Sequence, residues 1–150
     1  MKHAHARGNN INHHVVMFFI MLLSGLLTTM NVWVDKWEDI RFSVNDVYMT
    51  LLMTGWMFLF MGLYYGEMLI LNIGLFLVVL NIWCIRTQFM VTHKQYMLGM
   101  IPHHSMAILM SKKLLDRQQL QQSQAKDFVS NIITTQEKEI DYMKHLLGQK

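Results

Sequence analysis

The sequence predicts an all-helical membrane protein: three transmembrane helices followed by an antiparallel two-helix hairpin. Three observations carry this expectation. Of 150 residues, 53% are hydrophobic and 15% charged, against roughly a quarter charged in an ordinary soluble domain. Three uncharged runs have the length, about 20 residues, that crosses a bilayer core as a helix. After Thr92 the pattern changes to an amphipathic one, with apolar residues at helical spacing.

The elements follow in order. A histidine-containing tail, residues 1–14, with His3, His5, His13 and His14, is expected to be a flexible metal-collecting segment. Val15 to Val34 forms the first span. It is too long for a signal-peptide core and has no small-residue cleavage site behind it. Val47 to Gly66 forms the second, and Met68 to Ile85 the third after an interruption at Glu67. Trp33, Trp37, Tyr48 and Trp83 mark one interface and Tyr64 and Tyr65 the other, as amphipathic rings do. Asn72 and Asn81, inside the third span, are expected to hydrogen-bond a neighbouring helix.

The membrane region thus covers 15–92 and the hairpin 93–150. One amphipathic helix runs to about Leu115. The polar stretch "DRQQLQQSQAKD" makes a turn or polar helix, and a second helix runs from about Asp127 to Leu147. Pro102 is expected in the first turn of a helix starting near Gly99, or at a kink in one continuing from the third span.

Several function classes lose support at once. The net charge is +3 with no dense basic patch, so nucleic acid is not an expected partner. Cys84 is the single cysteine, so no internal disulfide forms. The 15 methionines stand out. They are concentrated with histidine in "HKQYMLGMIPHHSMAILM", residues 93–110, which holds three histidines, four methionines and no cysteine. At about 100° per residue, His93, Met97, Met100 and His104 share one stripe, while His103 and Met110 form a second. On the last helix, Val129, Ile132, Ile133, Ile140, Met143 and Leu147 make the apolar side, with Gln136 in its middle and Glu139 beside it. An amide and a carboxylate on a packing face need partners, and the histidines across the hairpin are the nearest candidates. Thioether and imidazole donors without thiolate favour Cu(I), with zinc as runner-up.

The words "YMLGMIPHHSMAILM" and "QEKEIDYM" resemble the domain-of-unknown-function family 305, whose members are associated with copper and distantly related to ferritin-like bundles. The resemblance maps that family's pattern onto Met100, His103, His104 and Met110, then Gln136, Glu139, Ile140 and Met143. It also extends, through "DVYMTLLM" and "RTQ", to membrane-anchored members. It implies a four-helix-bundle-like metal-binding hairpin outside the cytoplasm, tethered in a bacterial inner membrane with the N-terminus cytoplasmic. The Lys and Arg residues alone (Lys2 and Arg7 against Lys36, Arg41, Arg86 and Lys94) favour the opposite orientation; the reading adopted follows the resemblance.

The expected metal ligands are Met100, His103, His104, Met110, Glu139 and Met143, with His93 and Met97 as an outer group and Gln136 holding a ligand from behind. Met49, Met53, Met57 and Met61, four apart along the second span, form a slanted stripe that reads as a possible Cu(I) path, with Met17 and Met21 facing it. His145 and Met106 point away. The expected function is copper sequestration, delivery or transport without catalysis, by a homo-oligomer working with a copper chaperone or exporter. The alternatives are a ferritin-like oxidoreductase and a purely structural membrane protein. The first lacks any Glu-x-x-His pair, and the second leaves Gln136 and Glu139 unexplained. A haem subunit would need paired histidines within the spans, and none of the three contains one.

Overall fold

The computed structural model describes residues 2–117 and 122–148, with side-chain surroundings from residue 12 onward. Among these residues every regular element is helical: α1 Lys2–Leu27, α2 Val44–Tyr65, α3 Met68–Thr87, α4 His93–Asp116 and α5 Ser123–Leu146, plus 3₁₀ turns at Met30–Trp33 and Trp37–Asp39. The chain divides into two compact units, Met1–Thr29 with Asn45–Phe89, and Met30–Val44 with Met90–Lys150. The segment between the first two spans therefore packs with the hairpin.

In the first unit three stretches are long and apolar enough to cross a membrane: Asn12–Trp33, Val44–Tyr65 and Met68–Thr87. The first is not one α-helix to Val34 as expected. It stops at Leu27, where the Thr28 hydroxyl turns back to the Ser24 carbonyl at 2.8 Å, and resumes as a 3₁₀ turn at Met30. Helices α2 and α3 are joined by Gly66 and Glu67 alone; Gly66 takes φ +69°, the left-handed region where a side chain is strained. Small residues let the two backbones approach. A Cβ on Gly62 would run into the Leu71 backbone, and one on Gly74 into that of Leu59. This is the close approach by which apolar helices pack where their side chains gain little from burial. Glu67 accepts a 2.6 Å hydrogen bond from His14 Nε2, fastening α1 to this turn. The outward surface is apolar, with Phe19, Leu23, Leu27, Phe60, Leu63, Phe76 and Val79 all exposed. Asn81 corrects the expectation of an interhelical bond: its amide donates to the Leu77 carbonyl of its own helix at 2.7 Å. Asn72 is exposed.

The second unit is built on α4 and α5. Met97, Ile101, Ile108, Ile140 and Met143 form its buried core, with Met100, Ile133 and Leu147 against it. The N-terminal half of α4 meets the C-terminal half of α5, so the pair is antiparallel. Thr92 caps α4, its hydroxyl accepting from the Gln95 N–H. Pro102 lies well inside α4 and is buried, so neither expected position, first turn or kink after α3, is taken. The break falls at Gln88 and Met90, both at positive φ.

Residues 30–44 wrap this hairpin. Asn31 is buried and exchanges two hydrogen bonds with Arg41: its amide donates to the Arg41 carbonyl at 2.7 Å, and the Arg41 N–H donates to its oxygen at 2.9 Å. Asp39, 2% exposed, accepts from the Ser105 hydroxyl of α4 at 2.7 Å and stands 2.6 Å from Lys144 Nζ of α5. The Asp35 N–H donates to the Ser105 hydroxyl, and its carboxylate meets Lys112 at 2.7 Å. Lys112 also reaches Glu137 at 3.5 Å. The hydrogen bond from Lys112 to Asp35 holds that ammonium above its ordinary pKa.

Two outcomes test this packing. Gly74→Leu is expected to cost about 1–3 kcal/mol by overpacking the α2–α3 contact, read as a lowered unfolding midpoint in detergent; an unchanged midpoint would show that the helices are not in close apposition. Asp39→Ala leaves Lys144 and Ser105 without their buried partner and is expected to cost about 3–5 kcal/mol. Native-state hydrogen exchange of α4 and α5 amides measures it, with Asp39→Asn falling between because it retains the Ser105 bond.

Candidate metal centre

One turn of α4 presents the two histidines of interest. His103 is exposed and His104 half-buried, because consecutive helical residues diverge by about 100°. Their rings are 6.2 Å apart between centroids and tilted by 58°. Two imidazoles on one ion span roughly 6 Å at most, with bonds of about 2.0 Å to nitrogen, so a small side-chain rotation would let both rings meet a common ion.

Each histidine has a second donor opposite its Nδ1. His104 Nδ1 lies 3.1 Å from Glu139 Oε2 on α5. The nitrogen is buried and makes no hydrogen bond there. Burial pushes the His104 pKa below its ordinary value, the Glu139 carboxylate pulls it back up, and His103 pushes it further down. The outcome is a neutral ring beside a carboxylate. The 3.1 Å contact does not have the geometry of a hydrogen bond, and a cation between the two atoms would satisfy both nitrogen and oxygen. His103 Nδ1 lies 3.3 Å from the sulfur of Met30, on the 3₁₀ turn before α2.

The other expected ligands are distributed differently. Met97 and Met143 are core residues, and Met100 packs against that core. Their apolar burial is the ordinary role of methionine at helical spacing. Met110 is 55% exposed and borders an apolar groove of about 600 Å³ with Trp33, Phe128, Val129 and Ile132. It lies about 10 Å along the helix from His103 at 1.5 Å per residue. His93 is exposed at the first position of α4, roughly 15 Å from His103 by the same rise. Gln136 is half-buried and His145 exposed. Thus α4 and α5 bring His103, His104 and Glu139 together, and leave Met110 and His93 apart from them. Among the described residues no three His, Cys, Asp or Glu side chains form a preassembled metal cluster.

In the first unit, Met49, Met53 and Met57 line a shallow outward groove of about 300 Å³ with Leu52, Trp56 and Phe60, and Met61 is half-buried on the same helix. His13 and His14 sit on α1, and His14 is engaged by Glu67. The side chains of His3 and His5 lie outside the described residues, as do residues 118–121 of the polar stretch.

Sequence reasoning missed Met30 and the buried ion pair of Asp39 with Lys144. Met30 reads as one more apolar position within the first span; only the 3₁₀ break after Leu27 turns it toward α4. The dense charge of "DKWEDIR" was the available signal for Asp39, since so many charges beside an apolar helix pair need counterparts.

The sequence profile of the family described as Domain of unknown function (DUF305) matches residues 87–147. Along 93% of its length the chain is similar to "Uncharacterized protein L153" of Acanthamoeba polyphaga mimivirus, 36% identical over 149 residues that make up 95% of that protein. No solved structure matches the chain.

The sign of the His104 shift is testable. Since the folded ring resists protonation, its contribution to stability is complete above the unfolded value of about 6.5 and is lost as pH falls toward the lowered folded value. Ring-proton NMR is expected to show His104 titrating below the ordinary range. Glu139→Gln should lower it further and His103→Ala should raise it; the opposite pair of movements would mean that the carboxylate does not face the ring.

Proposed function

Because the chain belongs to the domain-of-unknown-function 305 family, we propose that it is a membrane-anchored protein that holds a soft metal ion, foremost Cu(I), at the His103–His104 turn. One observation carries the reading: the buried, unbonded Nδ1 of His104 faces the Glu139 carboxylate at 3.1 Å. A tetrahedral ion with bonds of about 2.0–2.1 Å to nitrogen and oxygen separates those atoms by about 3.3 Å. The donor set around the turn, imidazole and thioether with no thiolate, favours Cu(I) over zinc.

The metal is cargo on this reading, and the protein binds rather than catalyses. Neutral His104 supplies a lone pair without first releasing a proton, and Glu139 supplies the negative charge that a cation needs in a half-buried position. His103, more exposed, is the donor an arriving ion meets first. The three apolar stretches anchor the chain: the exposed belt of Phe19, Leu23, Phe60, Leu63, Phe76 and Val79 is a surface that lipid covers. The hairpin lies outside the cytoplasm, opposite the N-terminus, where a chaperone or exporter exchanges copper with it. The bacterial origin implied by the family resemblance draws no support from the mimivirus relative.

Competition of the detergent-solubilised protein with a Cu(I) chelator tests the proposal. Copper is expected to be retained over zinc, and His103→Ala with His104→Ala to abolish tight binding, whereas His145→Ala leaves it unchanged. Glu139→Ala is expected to weaken affinity by at least about 10- to 100-fold. Zinc retained at equal or higher occupancy, or Cu(I) binding that survives the double change, would overturn the assignment.

A further inference from the structure

A sulfur that lies outside the family match faces the exposed histidine of the site. We infer that Met30 is a soft-metal ligand acting with His103, so that the segment before α2 supplies a thioether to an ion held on α4. This inference rests on the metal-binding reading above and adds a residue to it: Met30 precedes the matched residues 87–147 by more than fifty positions.

The geometry is that of two ligands on one ion. Bonds of about 2.0 Å to imidazole nitrogen and about 2.3 Å to sulfur, at a tetrahedral angle, place the two donor atoms about 3.5 Å apart. His103 Nδ1 and the Met30 sulfur are 3.3 Å apart. Without metal the pair can share the imidazole proton in a weak N–H to sulfur hydrogen bond. An ion replaces that proton with both donors already in place.

The position of Met30 is built. The next residue, Asn31, is buried and locked by its two hydrogen bonds to the Arg41 backbone. The Asp35 N–H is tied to Ser105, two residues beyond His103. The 3₁₀ turn carrying Met30 is therefore fastened against the same stretch of α4 that presents both histidines. Met30 keeps 42% of its surface exposed, so the sulfur is accessible to an ion from solvent. A methionine with only a packing role at this point would gain more by turning into the apolar core, as Met97 does. The thioether also sets metal preference: it adds affinity for Cu(I) and Ag(I), and little for Zn(II).

Full-length protein in detergent, labelled at methionine methyl groups with carbon-13, is titrated with Ag(I) as a redox-inert stand-in for Cu(I). Cu(I) affinity is measured in parallel by chelator competition. The Met30 methyl resonance is expected to shift on Ag(I) binding while that of exposed Met68 does not. Met30→Leu, which keeps the bulk and removes the sulfur, is expected to weaken Cu(I) binding by about 100-fold or more and to leave Zn(II) affinity within a few-fold, with Met68→Leu unchanged. Wild-type protein that binds Cu(I), with an unshifted Met30 resonance and an unaltered Met30→Leu affinity, would overturn this inference and leave the metal-binding reading standing. Wild-type protein that binds neither Cu(I) nor Ag(I) would overturn both. A Met30→Leu protein that loses Cu(I) together with its α4 amide protection would make Met30 structural, and that too overturns the inference.

Discussion

The buried carboxylate of Asp39 holds the segment 30–44, α4 and α5 in one arrangement. It receives the Ser105 hydroxyl from one helix and faces the Lys144 ammonium of the other. A charge with 2% exposure is tolerable only with such partners. Lys144 sits where burial opposes its charge, yet its contacts with Asp39 and Glu38 hold its pKa above the ordinary value. The interaction is mutual: the carboxylate needs the ammonium, and the ammonium needs the carboxylate. Such a pair fixes register more than it adds stability, since a well-packed apolar substitute would stabilise the unit at least as well.

Register is what the meeting of side chains from several elements requires. Ser105 directly follows His104, and Lys144 is five residues beyond Glu139 on the other helix. A slip of one helix along the other by a single turn, about 5.4 Å, would separate His104 from Glu139 entirely. The Asp35–Lys112–Glu137 contacts repeat the same three-element link further along the hairpin. Two ionic ties along one helix pair resist both sliding and rotation. His104 stands beside the first of these ties on α4, and Glu139 lies between the two on α5, its carboxylate 3.1 Å from His104 Nδ1.

The unit that carries the three long apolar stretches relies on a different physics. Its helices expose large apolar residues outward and pack through glycine, so backbone proximity and dispersion replace apolar burial as the source of cohesion. The regular methionines of α2 border a groove on that outward surface, beside Trp56 and Phe60. Methionine spacing of four thus coincides with a helix face. It gives no donor pair comparable to the one at His103.

Much of the architecture was legible in the residues themselves. The three apolar runs, the antiparallel pair, and the packing face of Val129, Ile133, Ile140, Met143 and Leu147 all follow from length and periodicity, which local backbone geometry dictates. So did the approach of Glu139 to a histidine, because Glu139 flanks the face that α5 turns toward α4. The tertiary structure alone decided which donors meet. Helical spacing grouped Met97, Met100 and His104 on one stripe, but a stripe cannot tell core from site; burial sent the methionines inward and left His104 at the edge. The 3₁₀ break after Leu27, which turns Met30 toward His103, and the interior position of Pro102 depend on contacts between segments distant in the chain. Periodicity records which residues share a face, while the partner of that face is fixed only when the chain closes on itself.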